Sequence, residues 1–393
     1  MAVRATLRLA EKLDEAAETG GTVDIGEEFR HLTLQASDKE RNEVLLSIGP
    51  EESDRVFAKL YLPIVIECHK RVWNPLRTWC AALPAWWRFQ RNIRDLNAYI
   101  SGMIRARWAL RQREGGDKVL QLGGAMLGGR MLHQRQGSDF HPPDAARRGD
   151  VLDRLLDGVA AAGAGLTAAA HNQVRDELKT LVLAGHETSA SMLNWALLEL
   201  LQPGNGAQLR RAVAEADAAA AAAGGAPQAA APAAPDGAAL GYLEACLREA
   251  LRKYSIVPIT SRVCAKDTTL RGPGGAEHAV PRGAIVMALL QGVHHRADLW
   301  PRPSCFEPER FCDAGGAPIA PAPYTYLPFI EGPRACLGQN LSLLESKVVL
   351  SLLLRKYEFE VAMGGTDPCS KHKWLIPVIP ASNTVVSVTK REV

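Results

Sequence analysis

The sequence predicts a mostly α-helical protein, on two observations. Apolar and charged residues recur at helical spacing over long stretches of the chain. Alternating runs typical of strands are few, and the clearest, Thr384 to Thr389, lies near the end. The predicted helical stretches are Met1 to Leu13, Leu45 to Leu60, Trp87 to Arg113, Val151 to Val159 and a long apolar run from Asp176 to Leu201.

Two segments predict interruptions of this helical pattern. Residues 115–143 are rich in Gly, Arg and Gln and predict a surface connection. From Ala212 the chain becomes almost pure alanine, which extends a helix until Gly224, Gly225 and three prolines end it. We therefore expect residues 224–239 to be a disordered Ala/Gly/Pro insertion within one domain.

Composition excludes several classes of protein. Of 393 residues 47% are hydrophobic, and the formal net charge is only +3, so no nucleic-acid partner is expected. The eight cysteines form no C-x-x-C pair, which argues against a disulfide scaffold and a zinc site and favours a reducing compartment. We find no apolar run long enough to span a bilayer and no signal peptide.

The most informative segment is the decapeptide from Phe329 to Gly338, which places Cys336 just before a predicted helix. We expect that helix to begin near Leu337 and to bury one apolar face. Unpaired N–H groups at a helix N-terminus favour an anionic sulfur, which suits iron. The residues of the predicted buried face are Leu337, Leu341, Leu344, Val348 and Leu352.

The other residues of this segment suit a flat, acidic cofactor. Gly332 permits a turn that side chains disfavour, and Gly338 leaves room for a planar group near the backbone. Arg334 supplies a guanidinium that can hold a haem propionate by a bidentate pair. A lone cysteine is nevertheless most often a buried structural residue, and Cys336 alone would favour that alternative.

The spacing F-x-x-G-x-R-x-C-x-G resembles the haem-binding loop of the cytochrome P-450 family. This resemblance implies that Cys336 is the axial ligand of haem iron, that Arg334 contacts a propionate and that Phe329 packs beside the sulfur. It also implies the family fold, a large helical domain with small β-sheets.

The segment Ala184 to Ser189 is similar to the oxygen-binding helix of the same family. The resemblance implies that Thr188 places a hydroxyl beside dioxygen and that Glu187 is the neighbouring acid, a plausible pair for proton delivery. A buried helix with a solvated Glu187 is the alternative. His186 occupies a variable position of the motif and is interpreted as a surface or packing histidine.

Glu249 and Arg252 lie three residues apart on one predicted helical face. An exposed ion pair would have the same spacing. The downstream segment Pro308 to Phe311 is similar to the family segment that adds a second arginine. The resemblance implies that Arg310 joins Glu249 and Arg252 in a buried structural triad that positions the cysteine loop without doing chemistry.

Pro258 to Arg262 predicts an extended run that resembles the family strand beside haem. A plain surface strand is the alternative. The resemblance implies that Arg262 is a second propionate partner. It also implies an apolar pocket for a lipophilic substrate. The predicted pocket residues are Leu181, Ala184, Ile256, Val257, Ile259, Thr260 and Ile376.

The resemblance implies a haem-thiolate monooxygenase with haem b, which inserts one atom of dioxygen into a lipophilic small molecule. Electrons would come from NADPH through a flavoprotein reductase, or from a ferredoxin, because the chain has no nucleotide-binding or iron–sulfur motif. Two alternatives remain. A haem-thiolate isomerase or dehydratase needs no oxygen-activating pair, and Glu187 with Thr188 counts against it. A non-catalytic remnant is the other.

Val23 to Phe29 resembles a segment well inside the family domain, after its third major helix. We therefore expect residues 1–393 to form a single domain that lacks its N-terminal part. Membrane association would come only through that part. The resemblance then implies the endoplasmic reticulum membrane, with the plastid as the alternative.

Overall fold

The computed structural model describes most of the chain as two compact units. The first unit comprises residues 34–184, and the second comprises residues 2–33 and 185–393. The described ranges are 2–35, 56–74, 76–79, 82–122, 151–163, 165–222, 224, 240–362, 372–373 and 377–391. The insertion predicted after Gly224 and the pocket residue Ile376 lie outside the described residues.

Helices dominate the described residues, as the sequence predicts. In chain order the helices are α1 (Ala2–Thr19), α2 (Ile25–Gln35), α3 (Leu62–Trp73), α4 (Leu76–Trp79), α5 (Pro84–Leu122), α6 (Val151–Ala161), α7 (Ala168–Leu200), α8 (Gly206–Ala222), α9 (Gly241–Tyr254), α10 (Leu290–His294) and α11 (Gln339–Lys356). A π-helical turn at Phe57–Tyr61 precedes α3. Among the described residues, no helix is long and apolar enough to cross a bilayer.

The strands are short and antiparallel. They are β1 (Thr22–Asp24), β2 (Ile259–Val263), β3 (Thr268–Arg271), β4 (Glu277–Val280), β5 (Ile285–Leu289), β6 (Tyr357–Val361), β7 (His372–Lys373), β8 (Ile379–Pro380) and β9 (Val385–Lys390). The order β1-β9-β6 forms one sheet, and β2-β5, β3-β4 and β7-β8 form two-stranded ribbons. Val386 and Val388 alternate into the core from β9, which confirms the strand predicted there.

The core of the second unit forms where α11 packs against α1, α8 and α9. Trp195 of α7 is fully buried and stacks on Tyr254 with ring centroids 3.6 Å apart. Leu350 and Leu353 of α11 belong to the same cluster. This packing fixes the end of α9 and the start of α11, the elements that flank the predicted site.

The first unit has its own core, formed by α5, α6 and the first part of α7. Ile104, Leu156 and Leu178 are fully buried in it. Asp153 is also buried, where Arg107 and Arg111 donate hydrogen bonds to it. Burial opposes ionisation of Asp153, but these two arginines outweigh it and lower the pKa.

Two local predictions are wrong. The surface connection predicted for residues 115–143 is wrong in its first part, because α5 continues to Leu122, and residues 123–143 lie outside the described residues. Two glycines cost about 1 kcal/mol each in a helix, and the good helix formers around them outweigh that cost. The apolar face predicted for α11 is also misassigned in its first half. Leu337 is 91% exposed and Leu341 and Leu344 are exposed, because Leu343 and Ser346 face the core instead.

Candidate functional site

The segment around Cys336 is a loop whose backbone is fixed by its own hydrogen bonds. The N–H of Cys336 donates to the carbonyl of Phe329 at 2.8 Å, and the N–H of Ala335 donates to Gly332 at 3.0 Å. Gly332 has φ +82°, a conformation that glycine adopts without strain. The turn role predicted for this glycine therefore follows from its backbone.

Cys336 precedes α11 by three residues, because the helix begins at Gln339 and not near Leu337. Gly338 is the N-cap, and its carbonyl accepts the N–H of Ser342 at 2.8 Å. The thiol of Cys336 is exposed, which excludes the buried structural cysteine that a lone cysteine would favour. The sulfur thus belongs to the loop that leads into α11, three residues before the helix begins.

The surroundings of this sulfur fit a planar iron cofactor. A Cβ built on Gly338 would lie 3.9 Å from Sγ of Cys336, so glycine keeps the space beside the sulfur free of a side chain. The exposed apolar side chains of Leu337 and Leu341 adjoin this loop in sequence. In the described part of the chain, no group of three or more His, Cys, Asp or Glu side chains could form a metal cage. A single thiolate donor suits haem iron.

Two arginines predicted to hold propionates are exposed. Arg334 ends the 3₁₀ turn Gly332–Arg334, and among the described residues no carboxylate lies within 4 Å of it. Arg262 lies on β2 and donates to Oγ1 of Thr260 at 3.0 Å and to the carbonyl of Ser261 at 2.8 Å. Both guanidinium groups therefore keep donors for an anionic ligand.

The structure brings Glu249, Arg252 and Arg310 together in the core of the second unit. Arg252 binds Glu249 through two hydrogen bonds of 2.8 Å, and both side chains are fully buried. Nε of Arg310 lies 3.4 Å from Oε1 of Glu249. Glu307 adds its backbone N–H to Glu249 and its carboxylate to Arg310, at 3.0 Å and 2.6 Å. An exposed pair is thereby excluded.

His294 connects this cluster to the chain that enters the cysteine loop. Its carbonyl accepts from Arg252 at 2.9 Å, and its Nδ1 lies 2.7 Å from Oγ of Ser255. Nε2 accepts the N–H of Leu327 at 2.8 Å, so this network assigns the ring proton to Nδ1. Burial, and then the charge of Arg252, lower the pKa of His294 to about 3.

Glu187 lies in a buried polar cluster formed by α2 and the second part of α7. Its Oε2 is 3.7 Å from Nε of Arg30, and its Oε1 is 3.5 Å from Nε2 of His186. Nδ1 of His186 is 3.1 Å from Oγ1 of Thr33. Burial raises the pKa of Glu187 against the opposing charge of Arg30, and burial lowers that of His186 to about 3. Glu187 is therefore not solvated, and of the two interpretations of His186 the packing histidine is confirmed and the surface histidine is wrong.

The predicted substrate residues divide between the two units. Leu181 and Ala184 belong to the first unit. In the second unit Ile256 is buried, and its carbonyl accepts the N–H of Val378 at 2.9 Å. The carbonyl of Val378 accepts two further bonds, 2.6 Å from Ser191 and 2.9 Å from Trp195. Val257, Ile259 and Thr260 are half-buried. A pocket formed by these residues stays a prediction.

Sequence reasoning missed four residues that the structure places at these clusters: Arg30, Ser255, His294 and Glu307. Only Glu307 had a local signal, since it stands three residues before Arg310. The other three contact partners that are distant along the chain. Their roles depend on tertiary packing, which a single sequence does not encode as a motif.

The chain is similar in sequence to proteins of one known family. The cytochrome P450 family model matches residues 6–387. The chain is 34% identical over 236 residues to a Mycobacterium tuberculosis protein provisionally named cytochrome P450 135B1, covering 60% of this chain and 44% of that protein. It is 29% identical over 310 residues to chloroplastic cytochrome P450 97B2 of Glycine max, covering 73% and 48%.

A human relative is cytochrome P450 4F12, which is 32% identical over 241 residues, covering 57% of this chain and 40% of that protein. The chain thus spans about half the length of the curated relatives it matches.

Proposed function

This chain belongs to the cytochrome P450 family, and from that premise we propose that it provides the haem-thiolate site of a monooxygenase acting on a lipophilic small molecule. The observation that carries the proposal is the loop of Cys336. Its sulfur is exposed, its backbone is fixed by a 2.8 Å bond to Phe329, and Gly338 leaves open the space beside it.

In this proposal Cys336 holds the iron of haem b, and Arg334 and Arg262 hold its propionates. When bound, the cofactor supplies the redox chemistry that activates dioxygen. The exposure of both guanidinium groups supports their part, because each retains donors for a carboxylate. Phe329 contributes its carbonyl to the loop and packs its side chain against the core, which supports a rigid position for the sulfur.

Proton delivery is proposed for Glu187 and Thr188. A general acid is most effective when its pKa lies near the working pH, and burial moves Glu187 in that direction. Nε2 of His186 lies 3.5 Å from one carboxyl oxygen and Nε of Arg30 lies 3.7 Å from the other, so each oxygen faces a nitrogen group. Glu187 would pass a proton toward the hydroxyl of Thr188, the next residue along α7.

The electron donor is proposed to be a separate flavoprotein reductase that uses NADPH, or a ferredoxin. From the resemblance, the compartment is proposed to be the endoplasmic reticulum membrane or the plastid. The word chloroplastic in the name of the Glycine max relative supports the plastid.

A spectrum tests the central assignment. We expect the haem-loaded chain, reduced and exposed to carbon monoxide, to show the Soret band of a thiolate ligand, and Cys336→Ser to lose that band. Cys305→Ser is the matched control, because Cys305 is also an exposed cysteine of the second unit. A band that survives in Cys336→Ser would show that another residue binds the iron.

A further inference from the structure

Trp195 and Tyr254 form a stacked pair of aromatic rings in the core of the second unit. Their ring centroids are 3.6 Å apart, and the ring planes differ by 7°. Both side chains are buried. Indole and phenol have electron-rich π faces, and rings of this kind lose single electrons to strong oxidants. Contact at this distance therefore lets an electron pass from one ring to the other.

The phenol of Tyr254 has a proton acceptor. Its hydroxyl donates to Oε1 of Glu199, whose side chain is buried. Nζ of Lys253 lies 2.7 Å from the same oxygen, and Nδ2 of Asn205 donates to Oε2 at 3.3 Å. A carboxylate paired in this way accepts hydrogen bonds and donates none. Tyr254 thus has a base within reach of its proton.

The indole N–H of Trp195 has a different kind of partner. It donates to the carbonyl of Val378 at 2.9 Å, and a backbone carbonyl is too weak a base to remove the proton. Oxidised Trp195 would remain a cation in the core, where an unpaired charge is costly. Oxidation of Tyr254 with transfer of its proton to Glu199 leaves a neutral ring instead. The hydrogen bonds thus favour movement of an electron vacancy from Trp195 to Tyr254.

The charge left by such an oxidation lies close to water. Nζ of Lys253 is 5.6 Å from the ring centroid of Tyr254, and Glu199 balances its charge before oxidation. When Glu199 holds the proton, the ammonium of Lys253 carries the extra positive charge. The side chain of Lys253 is 20% exposed and that of Glu199 is 2% exposed. Solvation at Lys253 therefore keeps the extra charge out of the dry core.

Trp195 lies on the same helix as the residues proposed for proton delivery. Thr188 and Trp195 are seven residues apart on α7. Seven residues make about two helical turns, so the two positions lie on nearly the same face of the helix and about 10 Å apart along its axis. An electron crosses a gap of this size through protein, so Trp195 is within reach of an oxidant formed beside Thr188.

We propose that Trp195, Tyr254 and Glu199 form a redox-active cluster that removes oxidising equivalents from the oxygen-activation site when no substrate consumes them. A one-electron oxidant takes an electron from Trp195. Tyr254 then gives an electron to Trp195 as its phenolic proton passes to Glu199, which produces a neutral tyrosyl radical. A soluble thiolate supplies one electron and becomes a thiyl radical, and Glu199 returns the proton. The protective role rests on the proposed function, whereas the redox chemistry of the cluster does not.

Photo-oxidation tests the cluster without haem, so its outcome is independent of the proposed catalytic function. The full chain, made with ring-deuterated tyrosine, is illuminated with tris(bipyridine)ruthenium and persulfate, frozen and measured by electron paramagnetic resonance. We expect a tyrosyl radical that accepts a hydrogen bond from protonated Glu199, seen as coupling to an exchangeable deuteron in D2O. Tyr254→Phe should lose most of the tyrosyl signal and show a tryptophan radical instead. This variant keeps the stacked ring, and circular dichroism checks its fold.

Two further variants separate the parts of the cluster. Trp195→Phe keeps an aromatic ring in the core and should lower the yield of the Tyr254 radical, because the ring that is oxidised first is lost. Glu199→Gln should slow formation of the tyrosyl radical about 100-fold, in the range typical of a lost base. Time-resolved absorption of the radical measures both rates. Rates equal to wild type in both variants would contradict the assigned path.

Two other buried tyrosines provide matched controls. Tyr242 donates to Glu309 at 2.9 Å and Tyr357 donates to Asp14 at 3.0 Å. Among the described residues, no tryptophan ring stacks on either of them. Tyr242→Phe and Tyr357→Phe should therefore keep the tyrosyl signal of wild type. An unchanged signal in Tyr254→Phe, or equal losses in all three variants, would overturn the proposal.

The protective role has its own measurement. The haem-loaded chain is supplied with hydrogen peroxide in the absence of substrate, and loss of haem absorbance is followed. Tyr254→Phe should bleach faster than wild type, and Tyr242→Phe should bleach as wild type does. Equal bleaching in all three proteins would overturn the protective role. A chain that binds no haem would contradict the proposed function and leave the photo-oxidation result as it stands.

Discussion

The backbone N–H of Leu327 donates a 2.8 Å hydrogen bond to Nε2 of His294, a residue 33 positions earlier in the chain. Leu327 stands two residues before Phe329, whose carbonyl closes the loop of Cys336. His294 is fully buried and also contacts Ser255 at the end of α9. One neutral imidazole therefore joins the end of a core helix to the entrance of the proposed haem loop.

Replacing His294 with Leu should destabilise the second unit by about 1–3 kcal/mol, because the buried N–H of Leu327 then loses its acceptor. His294→Gln should recover part of this loss, since the Gln amide oxygen can accept at the position of Nε2. Urea unfolding measures the stability, and hydrogen exchange of the Leu327 amide measures the bond itself. Equal exchange at Leu327 in wild type and His294→Leu would contradict the assigned bond.

Stability should fall as the pH is lowered from about 6.5, the ordinary pKa of histidine, toward the value of about 3 that burial gives His186 and His294. In that window the unfolded chain binds protons that the folded chain does not, so both histidines favour folding fully above pH 6.5 and progressively less below it. At pH 5 each of these two histidines should lower the free energy of unfolding by about 2 kcal/mol relative to neutral pH. Urea unfolding between pH 7 and pH 5 measures the slope.

A double variant provides the control for this pH dependence. With His186→Gln and His294→Gln the slope between pH 7 and pH 5 should become shallow, although the stability at pH 7 falls. An unchanged slope in the double variant would contradict burial of the neutral rings.

Thr188→Ala should keep haem and substrate binding while diverting reducing equivalents to hydrogen peroxide, because the hydroxyl proposed to guide the proton is lost. Glu187→Gln should slow turnover about 100-fold or more, in the range typical of a lost general acid. The ratio of product formed to NADPH oxidised measures the effect of Thr188→Ala, and the rate of product formation measures the effect of Glu187→Gln. Thr180→Ala, at an exposed position of α7, is the control. A product ratio equal to that of wild type in Thr188→Ala would refute the proton-delivery role.

Glu249→Gln should destabilise the second unit by about 3–5 kcal/mol, because it leaves the buried charge of Arg252 without its partner. Arg296→Gln is the control. It removes an arginine that pairs with Asp298 at the surface, so it should change stability little. Thermal or urea unfolding of the two variants separates the cases. Similar losses in both would contradict a structural role for the buried cluster.

Local physics made the helices, the strand at β9 and the turn at Gly332 predictable. Helical spacing, alternation and glycine conformation act over a few residues, so they predict the presence of an element better than its ends. α5 ends nine residues after the predicted Arg113, and α7 begins eight residues before the predicted Asp176. The prediction of the buried face of α11 was wrong for the opposite reason, because that face depends on contacts distant along the chain. Helical spacing alone does not say which side meets α1, α8 and α9, and Leu343 lies on that side while Leu344 does not.

The candidate site likewise contains residues that the sequence predicts and residues whose role depends on the folded packing. The residues of the cysteine loop were predicted because they are adjacent in sequence and match a family motif. Thr33 and His186 are 153 residues apart, and no spacing rule connects them. The burial that raises the pKa of Glu187 is a property of the folded packing, so the motif identified the acid but not its environment.

The backbone of Val378 makes three hydrogen bonds, one through its N–H and two through its carbonyl. Its N–H donates to the carbonyl of Ile256, and its carbonyl accepts hydrogen bonds from the side chains of Ser191 and Trp195. This makes Val378 a fixed reference point for the chain around it. Val378 thereby couples two residues of α7 to Ile256, so a change of side chain at Ser191 or Trp195 reaches the backbone between α9 and β2 through a single residue.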